Sequence, residues 1–285
     1  MINHLISIDQ YSKSKLENFF TLVNREQYGY TDSILVNKHQ IATLFYEPST
    51  RTSASFHSAA TQLGYSVLPI NEVTYSSVTK GETLEDTIRT IGSYVDLIVL
   101  RHGEKGAAQR AADVSTIPII NAGDGNGEHP TQTLLDIYTI WKTFKKLDGL
   151  TITLIGDLKN GRTVHSLIKV LRHYEVKINL ISPDSLKLPS EYYKNSDVEY
   201  SKIPQDLQTN ILYVTRVQKE RGSQEDYKLS LEELTNLPKD TIVMHPLPRM
   251  KEIPTSFDND SRAKYFEQID NGLLVRKALL RELLG

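Results

Sequence analysis

Ile41-Ala42-Thr43-Leu44-Phe45-Tyr46 runs directly into Glu47-Pro48-Ser49-Thr50-Arg51-Thr52, and then Phe56, Ala59, Ala60 and Leu63 recur at helical spacing. A short apolar run, a polar turn and a 3.6-residue period predict a buried strand feeding a helix. Gly64 stands where a helix C-cap falls. The alternation continues: residues 66–70 read as a strand, Leu84, Ile88, Ile91 and Val95 mark a helix, and 97–100 read as a strand. Residues 107–114 read as a helix, 117–121 as a strand and about 130–145 as a long helix. After the turn signal Asp148-Gly149 the series restarts, with strands at 151–155, 176–181, 211–214 and 241–244 and a helix on Val164, Leu167, Ile168 and Leu171. Residues 262–284 read as helical with a break near Asn271-Gly272. Strands alternating with helices predict an α/β fold, and two such series predict two doubly wound domains. Each would hold a mainly parallel sheet covered by helices. The expected division is 1–132 and 133–285, hinged in the long helix after His129.

Composition narrows the function. The 285 residues are 39% hydrophobic and 24% charged, ordinary values for a folded chain, which excludes wholesale disorder. A formal charge of -2 leaves no basic surplus to neutralise a phosphate backbone, so no nucleic-acid partner is expected. Cysteine is missing, which removes disulfides, cysteine zinc sites and thiol nucleophiles together. The first residues lack a basic segment followed by a long apolar core, and no apolar run approaches the ~20 residues that span a bilayer. The expectation is a soluble cytoplasmic protein with no membrane partner.

Several loops carry chemistry. Ser49, Thr50, Arg51 and Thr52 open a helix, where unpartnered N–H groups and the positive dipole end meet hydroxyls and a guanidinium. That is a phosphate cradle without a Gly-rich P-loop; the competing reading is an ordinary capping segment. Residues 121–132 hold three glycines, which let backbone approach a ligand, and end in His129-Pro130-Thr131-Gln132 at a helix start. His129 and Gln132 would face one crevice; the alternative is a plain connecting loop. Gly156-Asp157-Leu158-Lys159-Asn160-Gly161-Arg162 stands where a dinucleotide fingerprint would but lacks its G-x-G-x-x-G spacing, and Arg162 could grip a carboxylate in two-pronged fashion. Thr215-Arg216-Val217-Gln218 and His245-Pro246-Leu247-Pro248-Arg249 each follow a strand, and the prolines leave carbonyls as acceptors. Arg101 ends another strand, where ligands sit in open α/β sheets, whereas Lys80 lies in a polar segment that could simply be solvated. No H-E-x-x-H and no G-x-S-x-G is present.

Taken in order, Ser49-Thr50-Arg51-Thr52, Leu100-Arg101-His102, His129-Pro130-Thr131-Gln132, Gly156-Asp157-Leu158-Lys159 with Gly161-Arg162-Thr163, and His245-Pro246-Leu247-Pro248 resemble the aspartate/ornithine carbamoyltransferase family, from roughly Ile41 to the C-terminus. The aspartate branch fits better. Its members carry a lysine in the loop matched by Ser76 to Lys80, and ornithine enzymes typically have a cysteine where this chain has Pro246. Two carboxylates also need cations, which Lys80, Arg162 and Arg216 supply. The segment 218–241 is short for the family.

The resemblance implies carbamoyl transfer from carbamoyl phosphate to L-aspartate, an early step of pyrimidine synthesis, with no metal and no organic cofactor. Ser49, Thr50, Arg51, Thr52 and Arg101 would hold the phosphate, and Thr52, Arg101 and His129 would donate to the carbamoyl oxygen. Gln132 and the turn at Pro246, Leu247 and Pro248 would hold the carbamoyl NH₂, and Lys80, Arg162, Arg216 and Gln218 the aspartate. It also implies a homotrimer in which Ser76 and Lys80 reach a neighbour's site, and a C-terminal helix (about 265–285) that returns to the first domain. Regulatory or pathway-partner chains stay open. The alternatives are an ornithine or other amino-acid carbamoyltransferase, a nucleotide-binding dehydrogenase, and a catalytically silent scaffold paralogue.

Overall fold

A computed structural model of the chain describes residues 3–28, 39–71, 81–217 and 227–285. The chain divides into two compact units, Met1–Leu135 with Asn271–Gly285, and Asp136–Asp270.

In the first unit, α1 (Lys13–Gln27) precedes β1 (Gln40–Phe45), α2 (Thr50–Gln62), β2 (Ser66–Asn71), α3 (Leu84–Gly92), β3 (Leu97–His102), α4 (Ala107–Val114) and β4 (Ile119–Asp124). The four strands are parallel in the order β2-β1-β3-β4. The N-terminal segment adds to the β4 edge, where Leu5 N–H donates to Ile119 O at 2.9 Å and Asn121 N–H to Leu5 O at 2.8 Å. Ala42 and Leu44 of β1 alternate with Ile98 and Leu100 of β3 onto one face, where Leu84, Ile88, Ala107, Ala108 and Ala111 cover them. Each such large aliphatic side chain contributes about 1.5–3 kcal/mol when fully buried. Helix α2 stops at Gly64, which takes φ +77°, with Tyr65 N–H bonded to Ala60 O and Gly64 N–H to Thr61 O. That is the left-handed glycine stop expected from the sequence.

The second unit holds β5 (Thr151–Ile155), α6 (Arg162–Leu171), β6 (Lys177–Ile181), β7 (Val198–Tyr200), β8 (Ile211–Val214), α7 (Leu231–Thr235) and β9 (Ile242–Met244). Its sheet is parallel in the order β7-β6-β5-β8-β9. Ile155, Ile181, Leu212, Val214 and Val243 pack with Leu234, Phe257 and Tyr265. Two helices run across the division: α5 (Pro130–Phe144) and α8 (Tyr265–Leu284). Two parallel α/β sheets match the expected fold class. No helix among the described residues is long and apolar enough to cross a membrane.

Two local expectations are corrected. Helix α8 is continuous through Asn271-Gly272. Gly272 serves packing there: a Cβ would lie 2.7 Å from Arg276 Nη1 and 3.1 Å from Leu135 Cδ2. The strand expected at 117–121 starts at Ile119 and extends to Asp124, because the Ser115 hydroxyl accepts from Ile117 N–H and donates to Ile117 O, closing a turn there. Helices α1 and α7 and strand β7 are additions to the sequence reading; α1 carries a helical signal, with Ser12 as its cap and Leu16, Phe19, Phe20 and Val23 at helical spacing, whereas three-residue β7 has none.

Candidate active site

In an open parallel sheet, ligands bind beyond the carboxyl ends of the strands where the strand order reverses. In the first sheet the reversal falls between β1 and β3. Ser49 to Thr52 open α2 after β1, β3 ends in Arg101-His102, and His129 and Gln132 stand where the loop after the next strand, β4, enters α5. The residues singled out for carbamoyl phosphate in this unit therefore project from three adjacent strands.

Ser49 occupies the N-cap of α2 but makes no side-chain capping bond, whereas Ser12, Thr83 and Ser230 cap α1, α3 and α7 with their hydroxyls. The ordinary capping reading of this loop is thereby set aside. Thr50 and Arg51 are exposed and Thr52 is buried in the first turn. A groove of about 800 Å³ runs along this helix, bordered by Glu47, Pro48, Ser49, Thr50 and His57.

Arg101 pairs in register with Phe45, and its carbonyl accepts from Tyr46 N–H at 2.9 Å. Its Nη1 donates to Ala122 O at 3.1 Å and its Nη2 lies 3.5 Å from Glu47 Oε2. Neighbouring His102 has its pKa pushed down by burial, and its Nδ1 accepts from Glu104 N–H.

Beyond β4 the chain is tied by Asp124, which accepts from Glu128 N–H at 2.7 Å and Gly106 N–H at 2.9 Å. Two of the three glycines of this loop are required by the chain's own packing. A Cβ on Gly125, at φ +53°, would lie 2.4 Å from Gly103 O, and one on Gly127 2.6 Å from Asp124 Oδ1. His129 is buried; its carbonyl accepts from Gln132 and Thr133 N–H, starting α5, with Pro130 at the first helical position. Its Nδ1 lies 3.2 Å from Thr131 Oγ1.

In the second sheet the reversal falls between β5 and β8. Buried Arg162 opens α6 after β5, Arg216 follows β8, and Pro246, Leu247 and Pro248 follow β9, again three adjacent strands. Asp157 shapes the first of these loops by accepting from Asn160 N–H at 2.9 Å, and His165 Nε2 lies 2.9 Å from Leu158 O with its ring stacked on Tyr192. Gly156, at φ +114°, lets β5 and β8 approach: a Cβ would stand 2.3 Å from Thr215 O. At β9, buried His245 accepts from Leu247 N–H at 2.8 Å and faces Glu252 Oε1 at 2.9 Å. The Leu247-Pro248 peptide bond is cis. Ser76, Lys80 and Gln218 lie outside the described residues.

The sequence pattern assigns no role to Glu47, Asp124, Asp157 and Glu252, although Glu47 and Asp157 stand within its motifs, and all four brace the loops above. Two of them carry a signal: Gly123-Asp124 and Gly156-Asp157 are the same dipeptide at a strand end in each sheet.

Comparison with known proteins agrees with this arrangement. Residues 3–142 match the aspartate/ornithine carbamoyltransferase carbamoyl-P binding domain, and 148–283 the Asp/Orn binding domain of the same family. The match thus begins well before Ile41. The chain is 46% identical over 303 residues to the aspartate carbamoyltransferase catalytic subunit of Thermoplasma acidophilum, covering 99% of this chain and 98% of that one. It is also 46% identical to part of the multifunctional protein pyr1-3 of Dictyostelium discoideum, of which the match spans only 13%. The crystal structure of Trypanosoma cruzi aspartate transcarbamoylase with carbamoyl aspartate and phosphate superposes with a TM-score of 0.92 at 38% identity, covering 99% of this chain and 96% of that one. The M. jannaschii catalytic subunit gives 0.90 at 40% identity, covering 99% and 98%. With both family domains matched along almost its whole length, this chain belongs to the aspartate/ornithine carbamoyltransferase family.

Proposed function

We propose that this chain catalyses carbamoyl transfer from carbamoyl phosphate to the amine of L-aspartate, giving N-carbamoyl-L-aspartate and phosphate for pyrimidine synthesis. The observation that carries the reading is the coincidence, in each sheet separately, of the family's motif residues with the strand ends at the order reversal.

Ser49, Thr50, Arg51 and Thr52 hold the phosphate at the start of α2, with Arg101 assisting. The aspartate amine attacks the carbamoyl carbon, the C–N bond forms, and the bond to the phosphate oxygen breaks. Negative charge develops on the carbonyl oxygen, where Thr52, Arg101 and His129 donate. When the Thr131 hydroxyl donates to His129 Nδ1, the ring proton sits on Nε2, which makes His129 a donor rather than a base. The leaving phosphate accepts the amine proton, so no protein base is required. Gln132 and the carbonyls of the turn at Pro246, Leu247 and Pro248 receive the carbamoyl NH₂. Arg162, Arg216, Lys80 and Gln218 clamp the aspartate carboxylates. Orientation and charge stabilisation then supply most of the rate.

The working assembly in this reading is a cytoplasmic homotrimer with Ser76 and Lys80 serving a neighbour's site. Initial rates with carbamoyl phosphate and either L-aspartate or L-ornithine, run side by side, test the reading. Turnover with aspartate alone is expected; a preference for ornithine overturns it.

A further inference from the structure

Between β9 and the residues that follow, the chain folds back on itself around one buried side chain. His245 is 1% exposed. Its Nδ1 accepts from Leu247 N–H at 2.8 Å, which places the ring proton on Nε2, 2.9 Å from Glu252 Oε1. The other carboxylate oxygen of Glu252 accepts from Met250 N–H at 3.0 Å and Lys251 N–H at 2.8 Å. Both ring nitrogens and both carboxylate oxygens are therefore committed to holding one loop.

The arrangement reaches deeper. His245 N–H donates to Gln268 Oε1 at 3.0 Å, Gln268 Nε2 donates to Asp136 Oδ1 at 2.5 Å, and Tyr213 OH donates to Asp136 Oδ2 at 2.7 Å. These groups are all buried. Nothing in the carbamoyl-transfer chemistry calls for this chain of polar groups, and buried polar networks are costly unless they fix something.

What they fix is a backbone turn. Leu247 sits at φ +51°, a conformation a leucine does not hold unaided. Its N–H is held by His245, while among the described residues neither the Pro246 nor the Leu247 carbonyl accepts a hydrogen bond. A turn clamped through its donor, with its acceptors unused, is prepared to receive an N–H donor.

We propose that His245 is a positioning residue for the carbamoyl amide: its Nδ1 clamps Leu247 N–H and so aims the Pro246 and Leu247 carbonyls at the substrate NH₂, while Glu252 holds the ring. The inference rests on the reading that those carbonyls receive that NH₂. It concerns the discrimination of NH₂ from an isosteric methyl, which phosphate contacts cannot supply.

Asparagine and glutamine separate the two halves of the imidazole. His245→Asn places an acceptor near the Nδ1 position and can keep the bond to Leu247 N–H, as in an Asx turn. His245→Gln reaches the Nε2 position and can keep Glu252 while losing Leu247. The dissociation constants of carbamoyl phosphate, acetyl phosphate and inorganic phosphate are measured for the full-length wild type and both variants without aspartate. Acetyl phosphate carries a methyl where carbamoyl phosphate carries NH₂. The preference for carbamoyl over acetyl phosphate should fall roughly tenfold in His245→Gln and stay within about twofold in His245→Asn, with inorganic phosphate unchanged throughout. An unchanged preference in His245→Gln, or equal losses in both variants, overturns the proposal. A wild type with no preference overturns the NH₂ reading itself, and the positioning role with it. Should His245→Gln not fold, hydrogen exchange of residues 245–250 in the wild type decides. Greater protection with carbamoyl than with acetyl phosphate supports the clamp, and equal protection refutes it.

Discussion

Replacing Gly156 with alanine should damage the second unit and aspartate use together. Gly156 has φ +114°, and an added Cβ would stand 2.3 Å from Thr215 O and 2.8 Å from Thr215 Oγ1, where ordinary contact begins at 3.4 Å. Backbone cannot swing away as a flexible side chain can. Strands β5 and β8 would have to part, straining the Thr215 N–H bond to Ile155 O at 2.8 Å. The positive φ costs an alanine roughly 1–2 kcal/mol, and relieving the overlap about 1–3 kcal/mol more. Gly149 is the matched control: it has φ +79° with nothing within 4 Å of an added Cβ, so Gly149→Ala should carry only the conformational cost. Trp141 is the chain's single tryptophan and lies on α5 in the second unit, so its fluorescence reports that unit's unfolding in urea. Gly156→Ala should lose about 1–3 kcal/mol more than Gly149→Ala and raise the KM for aspartate, because Arg216 follows Thr215 directly. Equal losses in the two variants, with an unchanged KM, would refute the close-approach argument.

Four further outcomes are expected. Arg51→Ala removes a charge-assisted contact worth roughly 1.5–3 kcal/mol, so the KM for carbamoyl phosphate and the inhibition constant of phosphate should each rise by about tenfold or more; unchanged phosphate inhibition places the anion elsewhere. Arg216→Lys should weaken aspartate use while leaving phosphate inhibition near wild type, since an ammonium cannot reproduce the guanidinium fork; equal losses for both ligands contradict the assignment. Burial holds His245 below its ordinary value of 6.5, with Glu252 pulling the other way. The unfolded chain therefore takes up that proton first, and stability should be full above about pH 6.5 and decline below it. The urea midpoint read from Trp141 should show this decline, and an identical decline in His245→Asn would assign it to other groups. In subunit exchange between Arg51→Ala and Lys80→Ala, random mixing makes about three quarters of trimers mixed, each with one intact site, so activity should recover to roughly a quarter of wild type; confirmed exchange without recovery removes Lys80 from a neighbour's site.

The strand-turn-helix alternation is legible because both sheets are parallel and buried, which makes their strands short apolar runs ending in polar loops. For the same reason the candidate residues fall at strand ends on the residue pattern alone. What escapes that pattern depends on partners far away in the chain. Val198-Glu199-Tyr200 forms a three-residue edge strand whose pairing to β6 no local pattern announces. Gly272 looks like a helix break because its neighbour Leu135 lies far away in sequence. The glycines of residues 121–132 suggest room for a ligand, yet Gly125 makes room for Gly103 O. His245 is visible as part of a motif, but its role depends on Asp136, Tyr213 and Gln268, brought together only by folding. A motif marks where chemistry is done; the bracing behind it is written in long-range contacts.

The most direct test of the account follows one atom. Carbamoyl phosphate labelled with ¹³C at the carbonyl is incubated with L-aspartate and the purified chain, and the products are read by NMR alongside released phosphate. The account predicts that the label appears in N-carbamoyl-L-aspartate, one molecule for each phosphate released. Phosphate release with the label left in carbamate or bicarbonate, or label transferred to ornithine in preference to aspartate, would contradict it.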